Sequence, residues 1–144
     1  MKKHKVTIIM ITLFFIGLLT LFYPTLSNYY NEKNQSKTIY NYENILNEKN
    51  KIDFDKLKED AINYNKELSE LTEPLLSYEN IQNYNELLNI NNDGMIGYLT
   101  IDKIKVELPI YHGISNEVLN SSVGHLEGSS LPIGGNSTHS VLSA

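Results

Sequence analysis

No cysteine occurs among the 144 residues. That absence rules out disulfides, cysteine-based zinc sites and a thiol nucleophile within this stretch. Positive charge is also short: 12 basic side chains, all lysine, stand against 17 acidic ones, for a net charge of -5. Phosphate binding needs a basic face, so nucleic acid is not an expected partner. The serines of "GSS" and "STHS" lack the G-x-S-x-G strand-to-helix elbow of a serine hydrolase. His4, His112, His125 and His139 are the histidines, and no two stand four apart, the spacing that sets two imidazoles on one helix face. Glu127 follows His125 by two residues, yet packed or hydrogen-bonded histidines are the expectation, with no metal and no cofactor.

Long apolar runs are confined to one place. "VTIIMITLFFIGLLTLFY", Val6 to Tyr23, carries no charge and reaches roughly 27 Å as a helix, enough to cross the hydrocarbon layer. A signal peptide also begins with a basic stretch, but it ends at a small-residue cleavage site. Tyr23 and Pro24 stand where that site belongs, so an uncleaved signal anchor is expected. Lys2, Lys3 and Lys5 precede the run and no comparable basic cluster follows it closely. The positive-inside rule then leaves residues 1–5 in the cytoplasm, 6–23 in the membrane and the remainder outside.

Beyond the anchor, residues 24–52 read as a stalk or linker, with a weak helical face at Ile39, Tyr42, Ile45 and Leu46. Residues 53–91 open with a firmer pattern. Phe54, Leu57, Ala61, Tyr64, Leu68 and Leu71 recur in three- and four-residue steps, with Asp53 as N-cap and Pro74 barring continuation. A short helix is expected from Tyr78 to Leu88. "NINNDGMIGYLT" places Asn89, Asn91, Asp93 and Gly94 as in a calcium loop, but Asn89 lacks charge and Thr100 stands where a bidentate Glu is needed. A turn opening a hairpin is the better reading.

From residue 92 the period changes to two. Ile96, Tyr98 and Thr100, then Val106, Leu108 and Ile110, predict two strands around an Asp102–Lys105 turn. A helical turn near Asn116–Asn120 and a final strand from Thr138 to Ala144 complete the reading. Residues 92–144 are too few to bury a core unaided.

The elements "LPIYHG", "SVGHLEGSSLPIGG" and "THSVLSA" stand in an order and spacing that closely resemble the first half of the catalytic domain of class C, pilus-assembling sortases. The apolar anchor followed by "YPTLSNYYNEKN" is similar to that family's N-terminus. The resemblance implies a mainly β fold: the first part of a sortase-type β-barrel, preceded by a transmembrane helix and an extracytoplasmic helical and lid segment. It implies a cysteine transpeptidase that cleaves LPXTG-like sorting signals between Thr and Gly, holds a thioester and passes it to a lysine amine of the next pilin. Pilins or surface proteins with such signals are the implied partners, alongside the membrane. In the family, "THSVLSA" runs into "HRG", whose His is catalytic, with Cys and Arg further on. No catalytic residue is therefore expected within this chain, which by itself is expected to be inactive, and a frame truncated just after Ala144 is the expected reason. The family's lid motif, Asp-Pro-aromatic, corresponds here to Glu73-Pro74-Leu75, where Leu75 cannot stack as a ring does. The alternative is a non-catalytic, membrane-tethered binding module on a partial sortase scaffold.

Overall fold

The computed structural model describes residues 2–48 and 52–144, and the chain divides into two units, one up to Asn34 and one from Gln35 to Ala144. Helix α1 runs Lys2–Asn47 with Pro24 inside it. Its apolar side chains from Val6 to Tyr23 are exposed on every side, in the one described helix long and apolar enough to cross a membrane. Length and composition suit a membrane anchor and a signal sequence alike. The boundary expected at Pro24 does not end the helix. Proline removes one backbone donor, and Thr20, four residues earlier, has its hydroxyl bonded to the Gly17 carbonyl at 2.8 Å.

Within the second unit, the weak face noted at Ile39 and Tyr42 is real. Both are buried, and with Leu46 they pack on Met95, which is fully buried. Glu43 accepts the Tyr98 hydroxyl at 2.9 Å, tying this end of α1 to the sheet. The stalk is thus part of the packed unit from Gln35 on. The expected boundary near residue 52 falls beside residues outside the described set.

Helix α2, Phe54–Glu70, forms as its periodicity predicts. Asp53 accepts the Lys56 amide at 3.0 Å as N-cap, and Ala61, Tyr64, Asn65 and Leu68 are buried. The core against it adds Tyr84 and Leu131. Pro74 does more than stop a helix: it opens a short one, α3, Pro74–Ser77, with Glu73 at the N-cap position. The helix expected over 78–88 is instead two 3-10 turns, Tyr78–Asn80 and Tyr84–Glu86. Asn83, at φ 72°, breaks the run in the left-handed region that Asn tolerates.

Strands β1, Met95–Ile101, and β2, Val106–His112, pair antiparallel across a 3-10 turn at Asp102–Ile104. After β2 comes helix α4, Asn116–Leu119, with Ser115 as its N-cap. β3, Val123–His125, then lies parallel to β2, and β4, Leu142–Ser143, lies antiparallel to β3. The sheet order is β1-β2-β3-β4. Pro109 sits inside β2 without disrupting it, because pairing with β3 begins only at Ile110.

The expectation of a mainly β chain is corrected here. α1 and α2 hold 46 and 17 residues, against 7, 7, 3 and 2 in the strands. The expected sheet is present, but the helical front outweighs it. The last strand is also shorter than the expected Thr138–Ala144, for a reason that belongs to the site.

Candidate functional site

Tyr84 and His125 form the buried centre. His125 is fully buried, and its Nε2 lies 2.9 Å from the Ser130 carbonyl. A carbonyl only accepts, so Nε2 carries the proton and Nδ1 presents its lone pair. The Tyr84 hydroxyl, 2.8 Å from Nδ1 and 3.1 Å from the His125 carbonyl, supplies the matching donor. Its oxygen in turn accepts the Gly113 amide at 3.3 Å. Burial lowers the His125 pKa, opposed by the Ser130 carbonyl, and burial raises that of Tyr84. Both groups are therefore held neutral. The His112 ring meets Tyr84 edge-on at 4.6 Å between centroids, its two nitrogens buried without a hydrogen-bond partner among the described residues. Burial lowers its pKa too.

From this centre, two serines hold the last segment in place. Ser129 donates to the Leu126 carbonyl at 2.7 Å and accepts the Val141 amide at 3.1 Å. Ser130 takes the His139 amide on its hydroxyl at 3.2 Å, while its own amide bonds the His139 carbonyl at 2.9 Å. Leu126 adds an amide bond to the Val141 carbonyl at 2.9 Å. The amides of His139 and Val141 thus go to serine hydroxyls while their carbonyls take backbone amides, and only Leu142–Ser143 joins the strand ladder. That is why the final strand is short. Asn65 fixes the near end of the same loop, donating to the Leu131 carbonyl at 3.2 Å and accepting its amide at 2.7 Å.

The α3 segment lies against this seat. Gly128 has φ 82°, and a Cβ there would stand 2.9 Å from the Pro74 carbonyl and 3.0 Å from the Leu75 Cα. Only a residue without a side chain fits under α3 at this distance. A cleft of about 340 Å³ opens alongside, lined among others by Pro74, Leu75, Ser129, Ser130, His139 and Val141.

Glu73, Pro74 and Leu75, the residues that resemblance offers as a lid, thus separate. Pro74 and Leu75 border the cleft, although Leu75 is 54% exposed. Glu73 is exposed, and its backbone carbonyl accepts the Leu76 and Ser77 amides and the Ser77 hydroxyl. The calcium-like loop is a turn: Asn89 accepts the Gly94 amide, while Asp93 accepts the Met95 amide and the Asn91 side chain, each at 3.0 Å. His125 is the hydrogen-bonded histidine expected. Sequence reading missed Tyr84, Asn65, Ser129 and Ser130, whose roles depend on contacts 9 to 66 residues away along the chain.

No family model and no curated protein matches the chain. Solved structures do. Sortase C1 from Streptococcus agalactiae is similar at 39% identity over 74% of this chain and 55% of that one, with a TM-score of 0.58. A lid mutant of that sortase matches at 38% identity over 66% of this chain and 49% of its own, with a TM-score of 0.55. Sortase A from Corynebacterium diphtheriae matches at 34% identity over 61% and 45%, with a TM-score of 0.51. Fold and shared sequence together are consistent with a class C sortase fragment, and the chain spans about half the length of the solved sortases it matches.

Proposed function

We propose that these residues supply the membrane-anchored front half of a cysteine transpeptidase that joins pilin subunits. The observation that carries the reading is the seat itself: Gly128 packed under Pro74 and Leu75, beside a segment leading through Val141 to Ala144. The close approach at Gly128 gives a lid at Pro74 and Leu75 a surface to rest on. A catalytic group just past Ala144 needs a strand whose end does not wander, and proximity alone is worth several kcal/mol to such chemistry.

On this reading Glu73-Pro74-Leu75 is the lid. The catalytic histidine follows Ala144, and the cysteine nucleophile and oxyanion-binding arginine lie further on. The cysteine thiolate attacks the Thr-Gly carbonyl of an LPXTG-like signal, the histidine protonates the leaving amine, and a pilin lysine resolves the thioester. The 144 residues hold neither cysteine nor arginine, so alone they do not cleave. Reading the gene past the codon for Ala144 tests this directly. Continuation into His-Arg-Gly and a later cysteine-bearing strand supports the reading; a stop codon with no such sequence downstream overturns it.

The membrane reading is one crossing with residues 1–5 inside. Protease added to intact cells is expected to remove everything after Tyr23 and spare the N-terminus. A mature N-terminus near Ser27 by mass spectrometry contradicts it.

A further inference from the structure

A second cleft, of about 560 Å³, lies between α2 and the loop over residues 133–138, adjoining the cleft beside the seat at Ser69 and Ser137. Its helical wall presents Lys58, Ile62, Lys66 and Ser69. No acidic side chain lines it, and neither lysine forms an ion pair among the described residues, in a chain of net charge -5. Ile62, between the two lysines, is 48% exposed. Across the cleft, the amides of Gly134, Gly135, Asn136 and Ser137 donate to no acceptor among the described residues.

The spacing selects a ligand. Lys58, Ile62 and Lys66 follow at four-residue steps, which is about 6 Å per step along a helix. Every second residue of an extended peptide points the same way, about 6.6 Å apart. One strand laid along α2 therefore matches all three side chains in register. Carboxylates suit the lysines and an apolar side chain suits Ile62. The free amides of the loop offer donors to the peptide's carbonyls, as in other modes of extended-peptide capture. A polyphosphate would satisfy the lysines but leave Ile62 against charge.

We propose that this cleft binds an extended acidic peptide segment of the pattern acid–x–apolar–x–acid. A site of this kind would hold a partner protein by a segment separate from any that enters the seat under α3. The two clefts share Ser69 and Ser137, but the site does not depend on the transpeptidase reading, because Lys58, Ile62 and Lys66, which select its ligand, do not line the cleft beside the seat.

The test uses the full 144-residue chain in uncharged detergent micelles and a fluorescent peptide, Gly-Asp-Thr-Leu-Thr-Asp-Gly, with capped ends. Fluorescence polarisation is expected to show saturable binding that weakens in 0.5 M salt. The Lys58→Gln/Lys66→Gln double variant is expected to bind about tenfold more weakly, the worth of two partly screened ion pairs. Both lysines are exposed, so its melting curve should match that of the parent. Replacing both Asp by Asn, or Leu by Ser, is expected to weaken the peptide. Undiminished binding by the double variant overturns the site, as does no binding at all. Inorganic polyphosphate binding more tightly than the peptide through the same lysines would overturn the peptide assignment.

Discussion

The Tyr84 hydroxyl lies 2.8 Å from His125 Nδ1, across 41 residues of chain, and both side chains are buried. That one contact joins the second 3-10 turn, Tyr84–Glu86, to β3, and through Ser129 and Ser130 to the segment entering β4. Tyr84→Phe removes the donor while keeping the ring. It strands a buried acceptor on His125 and a donor on Gly113, at a cost of about 1–3 kcal/mol. Thermal melts of the two forms should differ by several degrees. Equal melting would mean that the hydroxyl is not what holds the seat together.

Acid should loosen the same centre. His112 and His125 both have pKa values lowered by burial. The unfolded chain then takes up protons on these rings near pH 6.5 while the folded chain resists. Stability contributed by the neutral rings is complete above that range. It falls as pH drops through 6.5 toward the lower folded values. Urea unfolding between pH 8 and pH 5 is expected to show a declining midpoint, with a shallower decline in His112→Phe. A flat or rising midpoint toward acid would contradict the neutral assignment.

Gly128 gives a local test of the α3 contact. Gly128→Ala places a methyl against the Pro74 carbonyl and Leu75 Cα and also strains the backbone at φ 82°. The expected result is displacement of α3 with the rest of the unit folded. Hydrogen exchange at Leu76 and Ser77, whose amides bond the Glu73 carbonyl, should accelerate in the variant. Exchange there as slow as in the parent would show that α3 does not rest on Gly128.

Much of this was legible in the residues, and the misses share a cause. α2, its Asp53 cap and the β1–β2 pair follow from local period and capping chemistry. The reading of Glu73-Pro74-Leu75 as a lid rests on resemblance alone. β3 did not show, because three residues give no alternation; it is a strand only because β2 pairs with Ile110, Tyr111 and His112 against it. The passage of α1 beyond Pro24 was hidden by the usual effect of proline on helices. The seat was invisible for a deeper reason. Tyr84, Asn65 and the serines look like ordinary loop or helix-face polar residues until tertiary contacts bring them to His125 and Leu131. The shortened β4 belongs with them, since the amides of His139 and Val141 go to serine hydroxyls and not to a strand partner.

The central claim is that these residues shape a transpeptidase site whose reacting groups lie beyond Ala144. The most direct measurement is cleavage of a fluorogenic LPXTG-like peptide, compared between the 144-residue chain and the chain continued through the rest of its reading frame. The account predicts no turnover above buffer for the first. It predicts cleavage by the second that disappears when the continued chain's cysteine is replaced by alanine, since without a thiol no atom holds the acyl group. Turnover by the 144 residues alone, or a continued chain that cleaves equally well without its cysteine, would contradict it.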